Sequence, residues 1–189
     1  MGYRELYKQC SALPLVVSRR QLYPAVLKET GIHRIRHAIS TMDTTICRGM
    51  YLSARNEQAR LVQQMGSHVI VTARGLNSCW ERFVFVKELM HAFDDPTAAA
   101  DNGEAFDIQL QDLSGPATTL SPQGEAEFLS FWMALGVLCP EPHRLRFRDR
   151  LTAKQIDHYA IALELRIPEL YVPLLFEPRF ATIIKSLTT

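Results

Sequence analysis

The chain has 189 residues, of which 47% are hydrophobic and 22% charged, and its formal net charge at pH 7 is +1. This length is typical of one domain whose core needs no disulfide or metal, and the balanced charge gives no sign of a nucleic-acid or membrane surface. We therefore expect a single domain over residues 1–189, with its core at about 13–140 and a helical extension at about 150–180.

The four cysteines are widely spaced and form no C-x-x-C pair. This spacing favours free thiols in a reducing cytoplasm over a disulfide framework. The N-terminal stretch MGYRELYKQC lacks the apolar core of a signal peptide. No window approaches the roughly 18 consecutive apolar residues that a membrane helix needs. We expect a cytoplasmic protein with neither a membrane nor a nucleic-acid partner.

The first half of the chain carries three predicted strands among three predicted helices. Apolar spacing and glycine stops predict helices at 18–29, 56–65 and 78–93. Strands are predicted at 32–39, at 45–52 with an interruption at Gly49, and in the β-branched run HVIVT at 68–72.

The second half is predicted to be helical. Residues 94–122 are polar and rich in proline and glycine, which is typical of a functional or partly disordered loop. Ser121-Pro122 predicts the start of a helix that ends at Leu138. The alternation L-R-F-R-D-R at 145–150 is interpreted as an amphipathic strand or a solvated face, rather than as a phosphate or nucleic-acid site.

A last pair of helices is predicted near the C-terminus. Thr152-x-x-Gln155 has the pattern of a capping box and predicts a helix. Its expected apolar face consists of Ile156, Tyr159, Ala160 and Leu163. A short helix at 169–175 follows. Strands early and helices late indicate an α+β fold, with a small, mostly antiparallel sheet packed against several helices.

One stretch has the pattern of an active-site helix. VFVKELMHAFDD, residues 84–95, reads K-E-x-x-H where zinc peptidases have H-E-x-x-H. In that motif two histidines four residues apart bind one zinc from a single helix face, and the glutamate is the general base for the bound water. E-x-x-H alone is also typical of an ordinary amphipathic helix with a structural histidine.

The flanking residues extend the pattern. ERFVFVKELMHAFDD resembles the R-F-x-x-x-H-E-x-x-H segment of the ImmA/IrrE family of zincin-like peptidases. EAEFLSFWMALGVLCP, residues 125–140, resembles the family's helix that carries the third zinc ligand. The second match keeps Glu125, Phe131 and the final Leu-x-Pro, but has Phe128 and Trp132 where the family favours alanine. The strand at 68–72 and the tail AIALELRIPELYVPLLFEP also resemble family segments.

The resemblance implies a zincin-like fold in which 78–93 is the active-site helix. It places His91 at the second zinc histidine, Glu88 at the general base and Glu125 at the glutamate ligand, with Glu127 as the alternative if the register is shifted. Lys87 occupies the position of the first zinc histidine in the motif. Its ammonium has no lone pair, and a catalytic zinc normally needs three protein ligands. We therefore expect no metal and no other cofactor.

Two positions are open for the side chain of Lys87. In a retained fold its ammonium is expected to enter the space of the dication, facing Glu88 and Glu125, because buried carboxylates without a cation are costly. In the alternative, the lysine extends along the helix surface to solvent.

Three functions remain open. The first is a pseudoenzyme, a non-catalytic zincin-like domain that acts as a protein-binding or regulatory module; the resemblance implies a helix-turn-helix repressor-like partner. The second is an active zinc endopeptidase that cleaves such a protein, with His91 and Glu125 joined by Asp101, Glu104 or Asp107 from the loop. The third is an unrelated small helical accessory protein, in which the site-equivalent side chains do not converge.

Overall fold

The computed structural model describes residues 2–94 and 122–189, without the side chains of 122 and 123. These residues form a three-stranded sheet and eight α-helices, so the predicted α+β class is confirmed. The strands are β1 (Ile35–Ser40), β2 (Gly49–Leu52) and β3 (His68–Ala73). The helices are α1 (Tyr3–Ser11), α2 (Arg19–Thr30), α3 (Arg60–Met65), α4 (Ser78–Met90), α5 (Pro122–Leu138), α6 (Glu141–Thr152), α7 (His158–Leu165) and α8 (Pro178–Thr188). Short 3₁₀ turns cover His91–Phe93, Glu169–Tyr171 and Pro173–Phe176.

The sheet is mixed, with the strand order β1–β3–β2. β1 runs parallel to β3, with Ile35 opposite His68, and β2 runs antiparallel to β3, with Gly49 opposite Thr72. The expectation of a mostly antiparallel sheet is wrong, because the longer of the two pairings is the parallel one. β3 inserts between two strands that run in opposite directions, so it must be parallel to one of them.

The sheet has an apolar side chain layer on each face. Successive side chains of a strand point to opposite faces. Ile70 of β3 belongs to the main hydrophobic core together with α4, whereas Val69 and Val71 pack with Val62 of α3 in a smaller cluster. The sheet therefore lies between α4 and α3, and α4 is held against it from one side.

The main core gathers residues from almost every helix. Its fully buried members include Leu6 of α1, Phe83 of α4, Trp132 of α5 and Phe180 of α8. Full burial of side chains of this size contributes on the order of 1.5–3 kcal/mol each. The core therefore extends beyond the expected range of about 13–140 at both ends. The C-terminal helices pack into the same core as α4.

The basic segment at 145–150 is helical, so its interpretation as a strand is wrong. It belongs to α6, which starts with a proline in its first turn and buries Phe147 one turn after His143. Arg144 donates two hydrogen bonds to Glu141, at 2.6 and 2.7 Å, one turn earlier in the same helix. The spacing of three or four residues between these contacts is helical, although basic and apolar residues alternate in the sequence.

α7 starts later than predicted. Its N-cap is Asp157, whose side chain accepts a hydrogen bond of 2.8 Å from the N–H of Ala160. Thr152 is the last residue of α6, so the predicted capping box is wrong. Tyr159 and Leu163 are more than half exposed, at 59% and 54%. The buried face of the helix consists of Ile161, Ala162 and Leu165.

Two further expectations concern the environment of the chain. All four cysteines are free, and three of them are buried, as their spacing predicts. Within residues 2–94 and 122–189, no helix has both the length and the apolar character that crossing a membrane requires.

Candidate functional site

α4 is an interior helix with a defined start. The side chain of Asn77 accepts hydrogen bonds of 3.1 and 3.0 Å from the N–H groups of Cys79 and Trp80, which caps the helix. Every residue from Arg82 to Met90 is buried. Charged side chains on this part of the helix are therefore removed from water and need partners.

Four charged side chains converge at the end of α4; we call them the Lys87 cluster. Its members are Lys87, Glu88, His91 and, from α5, Glu127. The Nζ of Lys87 donates to Glu88 Oε1 at 3.1 Å and forms an ion pair with Glu127 Oε2. The Nε2 of His91 lies 3.2 Å from Glu127 Oε1 and 3.8 Å from Glu88 Oε2. Lys87 is 3% exposed, so it does not extend to solvent.

The carboxylate that α5 contributes to the Lys87 cluster is that of Glu127. Glu125, the residue that best matches the family's ligand, is exposed. Residues two apart on a helix point about 200° apart, so only one of the two glutamates can face α4. Lys87, Glu88 and His91 thus converge with Glu127, the alternative in the shifted register, and not with Glu125.

Two neighbours orient the imidazole of His91. Its Nδ1 is hydrogen-bonded to Asp94 Oδ2 at 2.6 Å. The ring of Tyr51 on β2 stacks against it with centroids 6.2 Å apart, and the Tyr51 hydroxyl is 2.6 Å from His68 Nδ1. A carboxylate behind the ring fixes its orientation and directs Nε2 into the cluster. The sequence analysis assigned neither residue to the site. The spacing of three residues between His91 and Asp94 could have identified Asp94, whereas no sequence pattern points to Tyr51.

The carboxylates and the ammonium shift each other's pKa values. Burial alone would lower the pKa of Lys87, but Glu88 and Glu127 outweigh burial and hold it above its usual value. Burial raises the pKa of Glu88, against the effect of Lys87. Burial would also raise the pKa of Glu127, but Lys87 and His91 lower it to about 2. Lys87 and Glu127 are therefore an ionised pair at neutral pH.

His91 is a second cation in the cluster. Burial and the charge of Lys87 lower its pKa, but the hydrogen bond with Asp94 and the negative charge of Glu127, 3.2 Å from Nε2, prevail and raise it to about 9. At pH 7 the imidazole is therefore protonated. Lys87 and His91 together supply two positive charges next to the carboxylates, which equals the charge of a divalent metal ion.

These residues do not fit a catalytic zinc ion. Such a site needs about three lone-pair donors and an open position, whereas the ammonium of Lys87, at the position of the first histidine, offers no lone pair. In the part of the chain that the structure describes, no group of three or more His, Cys, Asp or Glu side chains could hold a metal. The loop ligands of the peptidase hypothesis, Asp101, Glu104 and Asp107, lie outside the described residues.

Comparisons with known proteins add no relative. No family model matches the chain, and neither the curated proteins nor the solved structures contain a match. The function therefore has to be inferred from the geometry and charges of the Lys87 cluster.

β2 approaches the site helix closely at Gly49. A methyl group on Gly49 would overlap Val84 Cγ1 and lie 3.1 Å from both Glu88 Cγ and the carbonyl oxygen of Val71. We expect Gly49→Ala to lower the free energy of unfolding by about 1–3 kcal/mol because of this overpacking. Urea denaturation measures the loss. Gly2→Ala is the control, since its methyl would meet nothing within 4 Å; equal stability of the two variants would contradict the described packing.

The raised pKa of His91 predicts a pH-dependent stability. A histidine whose pKa is higher in the folded chain than in the unfolded one stabilises the fold fully below its ordinary value of about 6.5. That contribution is lost as the pH rises through about 9. We expect the His91 imidazole to titrate near pH 9 by NMR, and the free energy of unfolding to fall by up to about 3 kcal/mol between pH 6.5 and 9.

A carboxamide at position 94 provides the control for this titration. Asp94→Asn removes the charge behind Nδ1, so the pKa of His91 should move towards its ordinary value and the fall in stability should shrink. If the imidazole of the unmodified chain titrates at or below pH 6.5 or so, its contacts with Asp94 and Glu127 are not those described.

Proposed function

We propose that the chain is a non-catalytic zincin-like domain, related to the ImmA/IrrE peptidases, that binds a segment of another protein without cleaving it. The observation that carries this proposal is the position of Lys87. Its buried ammonium bridges Glu88 and Glu127, and the resemblance to the ImmA/IrrE peptidases implies that zinc occupies this place in those enzymes. An ammonium of raised pKa neither coordinates a metal nor activates water as a Lewis acid. The side chain of Glu88 is tied to this ammonium and is not free to act as a general base.

The outer edge of β2 supports the proposal that the chain binds a segment of another protein. β2 lies at the edge of the sheet and pairs only with β3 among the described strands. The N–H of Ala73 donates to the carbonyl of Arg48 at 2.8 Å. In an antiparallel pair this register directs the N–H groups of Gly49 and Tyr51 away from β3. An extended peptide can pair with such an edge by strand addition.

The same two residues connect the edge to the Lys87 cluster. Tyr51 stacks on His91, and Gly49 packs against Glu88. A peptide paired with β2 would therefore pass beside the Lys87 cluster. A helix-turn-helix repressor-like protein is the partner we propose, on the basis of the resemblance to ImmA/IrrE peptidases.

The test uses the purified chain and the repressor-like protein that crosslinks to it in its own cells. We expect the pair to bind with zinc present, the partner to stay intact, and amide hydrogen exchange at Gly49 and Tyr51 to slow on binding. The outer edge of β1 is the internal control, where exchange should not change. Zinc-dependent cleavage of the partner that Glu88→Gln abolishes would establish the peptidase instead. Binding without protection of β2 would exclude strand addition.

A further inference from the structure

The apolar stripe that the sequence predicts on α7 lies on the outside of the molecule. Tyr159 and Leu163, four residues apart on one helix face, are 59% and 54% exposed. The opposite face of the helix buries Ile161 and Leu165 in the core. α7 is therefore apolar on two faces, whereas a helix that is apolar all round is normally buried all round. In the part of the chain that the structure describes, nothing covers the outer face.

The two ends of α7 carry a hollow and an exposed leucine. The hollow lies where α6 ends and α7 begins, and the apolar residues in its lining are Leu151, Ile156 and Ala160. Leu170 is 54% exposed and belongs to the short 3₁₀ turn that packs against α7 beyond its C-terminal end. A hollow and an apolar side chain at opposite ends of one helix suit a self-complementary interface, because two copies related by a two-fold axis can exchange them.

The ends of α7 also carry charges of opposite sign. Asp157, the N-cap, and Arg166, the C-cap, are both exposed. Asp157 accepts the hydrogen bond from the N–H of Ala160 with Oδ1, so its second oxygen can accept from a cation. Glu164, beside the apolar stripe, is already paired with Arg150 at 3.0 Å. An antiparallel copy of α7 therefore meets a negative charge with its own positive end.

We propose that the outer face of α7 is the interface of a symmetric dimer with a second copy of this chain. A two-fold axis midway between Tyr159 and Leu163 pairs the two helices antiparallel, so that Tyr159 of one copy packs against Leu163 of the other. The same axis brings Leu170 to the hollow of the other copy and Arg166 to Asp157, and each contact forms twice. A second copy is the occupant because it satisfies the stripe, the hollow and the charges at once.

The size of this interface predicts a weak dimer. α7 has 8 residues and is about 12 Å long, so its outer face alone is small. Even with the hollow and the turn that carries Leu170, the buried area is at the low end of the roughly 800 Å² per partner of stable complexes. We expect a reversible dimer with a Kd on the order of 10–100 μM.

This interface is independent of the proposed binding of another protein. It uses α7 and its flanking turns, whereas the proposed peptide site uses β2 and the Lys87 cluster. A chain that stays monomeric would leave the proposed function standing, and cleavage of a partner protein would leave the dimer standing.

The test measures the mass of the unmodified chain by sedimentation equilibrium from about 5 μM to about 1 mM, a range that brackets the expected Kd. We expect the mass to rise from that of one chain to that of two. Over the same range the NMR signals of Tyr159 and Leu163 should shift with concentration. The signals of Gly49 and Tyr51 at the edge of β2 are the internal reference and should stay in place.

A substitution on the exposed stripe separates this face from any other. Leu163→Glu should weaken dimerisation by about a hundredfold or more, because it places an unpaired charge in the interface of each copy. Arg166→Glu should weaken it by about tenfold, because a like charge then faces Asp157. Ile46→Glu, which alters an apolar residue of 55% exposure in the loop before β2, is the matched control and should dimerise normally.

Three results would overturn the proposal. The first is an unmodified chain that remains monomeric up to about 1 mM. The second is dimerisation of Leu163→Glu that is as tight as that of the unmodified chain, which would place the interface on another face. The third is a ring of Tyr159 that a paramagnetic probe in the solvent does not reach in the dilute monomer. That result would mean that another part of the same chain covers the stripe.

Discussion

Lys87→His should convert the Lys87 cluster into a zinc site. The substitution replaces the ammonium between Glu88 and Glu127 with an imidazole, four residues before His91 on the same helix face. Two imidazoles and the carboxylate of Glu127 then supply the three protein ligands that zinc prefers. We expect about one zinc ion per chain in the variant by metal analysis of protein purified without chelator, and none in the unmodified chain.

Two glutamates of α5 provide a matched control in the Lys87→His background. Glu127→Gln removes the carboxylate that would bind zinc directly and should weaken zinc binding by at least about a hundredfold, since even the loss of an outer-shell partner costs about tenfold to hundredfold. Glu125→Gln alters an exposed residue of the same helix and should leave zinc binding unchanged. Zinc must also displace any proton on the two imidazoles, so binding should tighten as the pH rises.

Two outcomes would contradict this prediction. Stoichiometric zinc in the unmodified chain, lost in His91→Ala, would mean that the metal site is intact and that the lysine does not fill it. Failure of Lys87→His to bind zinc, in a variant that keeps its fold, would mean that His91 and Glu127 do not face one common point.

The part of the fold next to the site was predictable from the sequence. The β-branched run at 68–72 forms β3 as predicted, and the helix predicted at 78–93 is α4 followed by a 3₁₀ turn. Both elements have strong local signals, namely β-branching in the strand and a polar cap before an apolar run in the helix. The direction of β3 relative to β1 has no local signal, because it depends on which strands lie beside it.

The choice between Glu125 and Glu127 could not be made from sequence alone. From Ser130 to Cys139 every residue of this region is buried, so α5 shows no apolar stripe that would orient the helix. The family pattern aligns Glu125, but the helix turns Glu127 towards Lys87. Only the packing of α5 against α4 decides which carboxylate enters the cluster.

Three helices, α1, α6 and α8, were not predicted, and α6 and α8 show why the local sequence pattern was not enough. In α6 the alternation of basic and apolar residues imitates a strand, while the burial of His143 and Phe147 follows a helical spacing. α8 starts at Pro178 and buries Phe180 and Ile184 one turn apart, a pattern too short to identify without the surrounding core. In both cases tertiary packing selects the helix.

Lys87→Met should destabilise the fold by about 3–5 kcal/mol, because it removes the buried ammonium that bridges Glu88 and Glu127 and leaves only His91 to balance their charges. Methionine is close to lysine in length and apolar volume, so the loss reports the charge rather than a cavity. Urea denaturation at pH 7 measures it. Lys185→Met, on an exposed position of α8, is the control and should change the free energy of unfolding by less than about 0.5 kcal/mol.

A second substitution shows whether the loss comes from carboxylate charge that the ammonium no longer balances. Lys87→Met combined with Glu127→Gln removes a negative charge that the ammonium balances, so the double variant should be more stable than Lys87→Met alone. The recovery should be partial, because Glu88 stays buried and 2% exposed beside the methionine. If Lys87→Met is as stable as the unmodified chain, the ammonium does not hold the two helices together, and its role as a tethered replacement for the metal ion is excluded.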